Sequence, residues 1–304
     1  MSFETLGPFR TTPQRLQTER SANRVRTALL TLFFVASSSA IATPTGQETA
    51  TAPTALTTAE MENLLLNGRI TGRRTALKGV TDAVRVTLSD GRISHDAQVQ
   101  NIDEHRAVFE AGPKFTEFNF RDSYRYNVAA YRLARLLDLD NVPMSVIRRV
   151  DGKPAAVTWW VDDVAMDEGG RLKLAPDLRW GPNPARTTGY IYVLRLFDEL
   201  IQNRDRNKGN LLWTKDWTMW MIDHTRAFRT DKKLVHPEQL VRCERSLYSA
   251  LRRLTHDTLT DAVGESLLQA EADAVLARRD LLVKRFEGMI AQRGEAATLF
   301  TLAR

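Results

Sequence analysis

One cysteine, Cys243, stands in the 304 residues, so no internal disulfide and no thiolate zinc cluster can form. The five histidines (95, 105, 224, 236 and 256) show no metal-ligand spacing, which argues against the common His-based metalloenzyme designs. No internal repeat is visible, and the longest apolar run is too short to span a bilayer comfortably. The excess of one charge sign is small too. The net charge is +6, of which residues 1–42 carry +3, so the rest gives no reason to invoke nucleic acid. What is present, 43% hydrophobic and 26% charged residues, suits a globular chain with one large or two small cores.

The amino terminus differs from the remainder. Arg24 and Arg26 precede an apolar core at 28–35, then small residues ending in Ala-Ile-Ala at 40–42. A charged head, a short apolar core and a small-x-small exit predict a secretory signal peptide over 1–42, cleaved after Ala42. The protein is therefore expected to be exported, to the periplasm or beyond, with no stable membrane span. Residues 43–58, rich in Thr, Ala and Pro, read as a flexible lead-in.

Alternating apolar residues around Asp90-Gly91 predict a hairpin, with strands at 84–88 and 93–102. A third strand follows near 105–112, and a second hairpin turns at Asp151-Gly152. Between them lies an amphipathic helix with Ser123 as its cap and Val128, Tyr131, Leu133, Leu136 and Leu137 on its apolar face. After the breaker-rich stretch WGPNPAR the pattern turns helical, with Ile191, Leu194, Phe197 and Ile201 at helical spacing. Two short strands flank Lys215-Asp216, and three helices close the chain. The last, roughly 266–291, carries Leu267, Leu268, Val275, Leu282, Phe286 and Ile290, and its arginines are expected in solvent.

The loop NRDRNKGNLL at 203–212 holds Asp205 and, five residues on, Asn210; the next apolar strand ends in Asp223. Carboxylates at the ends of buried strands are costly unless paired or metal-bound. Phosphoryl transfer calls for such a set: one carboxylate to orient a hydroxyl and take its proton, and an amide oxygen with a second carboxylate to hold magnesium. The competing possibility is an Asp-capped solvated turn in an unrelated helical protein. His224 would either order the metal loop or sit as a satisfied strand-end histidine.

FDELIQNRDRNKGNLLW and WMIDHTRAF resemble the catalytic core of the atypical kinases related to HipA-type kinases and phosphatidylinositol 3- and 4-kinases. They are also similar to the secretory-pathway Golgi casein-kinase family, and nearest an uncharacterised bacterial group. Asp198, Asn203, Asp205, Arg206, Gly209, Asn210 and Asp223 occupy the motif positions, and YRYNVAAYRLARLLDLDNVP resembles the stretch before them. The resemblance implies an α+β, bilobal, protein-kinase-like fold. A strand-rich N-lobe over 59–180 and a helical C-lobe over 181–304 would hold ATP and Mg2+ between them. Asp205 would be the catalytic base, Asn210 and Asp223 the metal ligands. Gly79 would sit at a phosphate-covering hairpin, and Trp160 and Val161 would line the adenine slot or simply pack in the core.

The sequence departs from that family at one place. In that family a strand Lys pairs with the nucleotide phosphates and a helix Glu holds the Lys; the matching positions here are Gln100 (or Gln98) and Asn127, both neutral amides. A paired loss avoids stranding one charge, and a Gln–Asn hydrogen bond would keep the geometry. Lys78 or Lys114 could substitute for the missing cation. Two functions follow: transfer of a phosphoryl group to a hydroxyl of a protein, lipid or small molecule, or a pseudokinase that binds nucleotide without turnover.

Overall fold

A computed structural model describes residues 56–75, 83–110 and 116–303. The signal-like segment 1–42, most of the lead-in, Gly79, Lys78 and Lys114 lie outside the described residues. Helix α1, Thr58–Asn67, begins inside the expected lead-in. Thr57 caps it: its hydroxyl accepts the Glu60 N–H while the Glu60 carboxylate accepts the Thr57 N–H, a reciprocal capping box.

Five antiparallel strands follow as one sheet: β1 (Arg69–Thr75), β2 (Val84–Ser89), β3 (Ser94–Gln100), β6 (Ser145–Val150) and β7 (Lys153–Trp159), in the order β1-β2-β3-β7-β6. Both expected turns are present. Asp151 and Gly152 take φ values of 50° and 77°, the left-handed pair that a two-residue hairpin needs. Side chains alternate across the sheet. Val86, Leu88, Ala97, Val146 and Val157 pack with Leu64 and Leu65 of α1, which leaves Gln98 and Gln100 on the opposite face.

Among the described residues, strands β4 (Asp103–Glu110) and β5 (Thr116–Ser123) pair only with each other, and they lead into helix α2, Arg125–Leu136. The expected cap is displaced here. Ser123 ends β5, and its hydroxyl donates to Asp103 at 2.7 Å, while Tyr124 precedes the helix without a side-chain cap. Strand propensity in the run 116–123 overrides a capping signal at its end.

Strand β8 (Val164–Asp167) pairs with β9 (Leu211–Thr214), which pairs with β10 (Met219–Met221), so this three-stranded sheet already belongs with the helical part. Short α3, Glu168–Arg171, and long α4, Pro184–Ile201, lie between β8 and β9. On α4, Val193, Leu196, Phe197, Leu200 and Ile201 are buried, whereas Ile191 and Leu194 are only partly so. That helix is apolar almost all round, and periodicity does not single out its inner face. Strand β11 (Cys243–Glu244), helices α5 (Arg245–Arg253), α6 (His256–Val263), α7 (Gln269–Arg293) and α8 (Glu295–Thr298), and strand β12 (Leu299–Phe300) complete the helical core.

Two expectations for the last helix are corrected. Leu268 is exposed and caps α7 instead of packing. Arg278 is fully buried: its guanidinium binds the carbonyls of Leu200, Arg229 and Asp231, and burial pulls its pKa down to about 10. Among the described residues no helix is long and apolar enough to cross a membrane.

Candidate active site

Helix α4 delivers the chain to the polar loop, and Gln202 ends it in the left-handed region at φ 48°. Arg206 then fixes the loop from within. Its Nε and Nη2 bind both oxygens of Asp198 at 2.9 and 3.0 Å, while Nη1 donates to the carbonyls of Asn210 at 3.0 Å and Ile222 at 2.7 Å. Both side chains are mostly buried, so this two-pronged pair is far stronger than a surface ion pair. One guanidinium thus holds the helix end, the loop and the strand end bearing Asp223 in a single register.

Asn210 donates its Nδ2 to the Asp205 carbonyl at 3.2 Å and accepts the Ile222 N–H on its own carbonyl at 3.0 Å. With the amide nitrogen engaged, its oxygen is the atom available for a cation. Asp223 adopts φ 56°, a conformation Asp tolerates better than most residues, and so turns the chain sharply after β10. Asp223 lines a small cleft together with Gln98, Asn127, Thr158, Val142 and Pro143. Its cavity volume of about 10 Å³ is room for about one water molecule or a single ion.

The neutral pair is formed as the sequence predicts. Asn127 Nδ2 donates to Gln100 Oε1 at 2.8 Å in a buried setting, and Asn127 Oδ1 accepts the backbone N–H of His224 at 2.8 Å. The amides therefore connect β3, α2 and the residue after Asp223. His224 contributes through its backbone. Its ring is buried edge-on to Phe197, and burial with Arg206 nearby holds its pKa well below the usual value.

Asp205 is the exposed member, with 46% of its side chain accessible and Oδ1 3.6 Å from Arg226 Nη1. Asp223 is pushed up in pKa, first by burial and then by the charge of Asp205, while the Thr225 hydroxyl and Arg206 pull it down. Asp205 and Asp223 thus share one electrostatic environment. Trp160 and Val161 are not among the residues that line the cleft. The Trp160 ring is covered by the Arg85 guanidinium at 4.2 Å, and Val161 is buried.

Several site residues have no signal in the sequence. Arg85 stands directly across from Gln98 on the cleft face of the sheet, bound to Asp96 at 2.7 Å. Glu117 of β5 pairs with both Arg226 and Arg229, fastening the β4–β5 hairpin onto the segment after Asp223. Asp122, also on β5, is buried beside that segment. Each is brought in by strand pairing across long separations in sequence.

Magnesium fits this donor set. Hard oxygens at Asn210 and Asp223 are what the ion takes, and a buried, charge-repelled carboxylate is the kind that a cation stabilises. Among the described residues no three His, Cys, Asp or Glu side chains converge as a ready-made metal site. A cation here would keep several waters, as magnesium usually does.

No family model matches the sequence, and no curated protein matches it. Among solved structures, hydra Fam20 with sugar is 14% identical with a TM-score of 0.57, over 80% of this chain and 92% of that one. A Helicobacter pylori proinflammatory kinase, CtkA, is 11% identical over 73% of this chain and 96% of that one. Its TM-score of 0.45 is too weak to add to the assignment. The likeness to Fam20 is one of fold: this chain has a kinase-like α+β fold, with a strand-rich part before a helical one.

Proposed function

We propose that this protein binds a magnesium–nucleotide at the cleft and transfers a phosphoryl group to a hydroxyl acceptor held by Asp205. The observation that carries this reading is the Arg206 anchor, which ties the loop bearing Asp205 and Asn210 to Asp198 and to the strand end before Asp223, a residue that lines the cleft. Asn210 and Asp223 would hold magnesium, which when bound neutralises phosphate charge. The acceptor oxygen attacks the terminal phosphorus, and the bond from that phosphorus to the bridging oxygen breaks. The departing diphosphate takes the electron pair, and the hydroxyl proton passes to the Asp205 carboxylate. The exposure of Asp205 leaves room for an acceptor beside it.

A specific observation favours a second reading, a binding module without turnover. The Gln100–Asn127 bond supplies no positive charge to the phosphates, a contact of the kind worth a few kcal/mol in the transition state. Purified full chain, titrated with ATP and MgCl2 by calorimetry and incubated with γ-labelled ATP, separates the two. Binding that disappears in Asp223→Ala, with label transfer reduced about a hundredfold or more in Asp205→Asn, supports transfer. Binding without label transfer supports the module, and no binding ends both. Export belongs to the same proposal: a mature protein starting at Thr43 outside the cytoplasm is the expected finding, and an intact amino terminus in the cytoplasm rejects it.

A further inference from the structure

Asp122 has no part in the mechanism above, yet its setting needs an explanation. It is 8% exposed, and its Oδ1 has no hydrogen-bond partner among the described residues. A carboxylate in that condition is expensive unless it is protonated, paired or bound to a cation. The nearby guanidinium of Arg226 is already committed, to Glu117 at 2.6 Å and to Asp205 at 3.6 Å.

The backbone fixes where Asp122 stands. The Ser123 N–H donates to the Thr225 carbonyl at 2.8 Å, so the end of β5 runs beside residues 223–225. The Thr225 hydroxyl donates to Asp223 Oδ1 at 3.1 Å and also lies against the Asp122 carboxylate. A single hydroxyl therefore stands between the two carboxylates. Asn210 is tied to the same strand end through the Ile222 N–H.

We propose that Asp122 is a third protein ligand of the divalent cation, joining Asp223 and Asn210. The inference rests on the cleft reading given above and extends it. Two carboxylates and one amide are a donor set that magnesium or manganese takes while keeping its remaining waters. Two carboxylates that face one hydroxyl favour the cation before any nucleotide arrives. Metal binding to the nucleotide-free chain is the consequence that sets this arrangement apart from one in which the metal enters only with the phosphates.

The test is a Mn2+ titration of the nucleotide-free full chain, with free ion read by electron paramagnetic resonance, on wild type, Asp122→Asn and Asp223→Asn. The expected result is saturable binding in wild type, weakened about tenfold or more in each variant. Equal affinity in wild type and Asp122→Asn, with loss in Asp223→Asn, removes Asp122 and leaves the cleft reading standing. Absence of nucleotide-free binding in wild type also removes Asp122; the cleft reading then fails only if Mn2+ with ATP does not bind either. Should Asp122→Asn fail to fold, the carboxyl carbon resonance of Asp122 in wild type, followed during Mn2+ addition, decides. Broadening in step with binding supports a ligand, and an unchanged line with the site filled overturns it.

Discussion

Gln100 and Asn127 form a buried neutral bond that leaves no buried ion. Introducing only one charge tests this directly. Gln100→Lys or Asn127→Glu alone strands a charge in a buried place and should lower stability by about 3–5 kcal/mol, and the double substitution should recover most of that loss in urea unfolding. Asn127→Leu leaves both the Gln100 amide and the His224 N–H without their bond to this side chain, and about 2–3 kcal/mol should be lost. His224 adds a pH dependence. Its pKa is held below the ordinary 6.5 by burial, so the unfolded chain binds the proton more readily. The stability it contributes is therefore present above 6.5 and lost as the pH falls, with a slope of up to about 1.4 kcal/mol per pH unit. His224→Leu should flatten that slope in melts taken between neutral and acid pH. Asp205, Asn210 and Asp223 stand out in the sequence because their chemistry is local and their spacing short, whereas Gln100 and Asn127 stand out only through resemblance to a family pattern, their bond joining residues 27 apart. Asp122 was not: before Ser123 it reads as the start of a helix, and only pairing of β5 with residue 225 places it near Asp223.

The elements were legible where one period dominates and ambiguous where two signals compete. Both hairpins, α2 and the long helix α7 stand near where alternation and helical spacing put them, while four carboxy-terminal helices are present among the described residues instead of three. Helix α1 carried its own start signal, Thr57 followed by Glu60, inside a segment whose composition reads as flexible. The bridge before α4 shows a position that needs glycine. Gly181 has φ 65°, and an added Cβ would fall 2.4 Å from the Trp217 ring. Gly181→Ala should therefore cost more than the roughly 1 kcal/mol of left-handed strain alone, measured as a shift in denaturant midpoint. Arg206 acts on several elements at once. Arg206→Leu leaves Asp198 mostly buried without its pair, and a loss of about 3–5 kcal/mol is expected, together with loss of metal binding.

At the scale of the whole molecule, the strand-rich and helical parts meet through a few named bonds. Asn141 accepts the Met221 N–H and donates to the Met219 carbonyl, and Glu117 grips Arg226 and Arg229. A ligand bound at that junction stabilises the native chain against unfolding. Mg-ATP at a hundred times its dissociation constant should add about 2.7 kcal/mol, the gain vanishing in Asp223→Ala. A thermal melt with and without nucleotide measures it, and an equal shift in the variant would place binding elsewhere.

The sequence by itself determined the α+β order of elements and both hairpin turns, because turn chemistry and periodicity act over a few residues. Only the tertiary structure decided the rest. It set which face of α4 is buried, it buried Arg278, and it put Asp122 and Glu117 beside a loop about a hundred residues further along the chain. Those outcomes depend on strand register and on the cost of leaving buried carbonyls and carboxylates unmet, and neither is fixed until distant segments pack together.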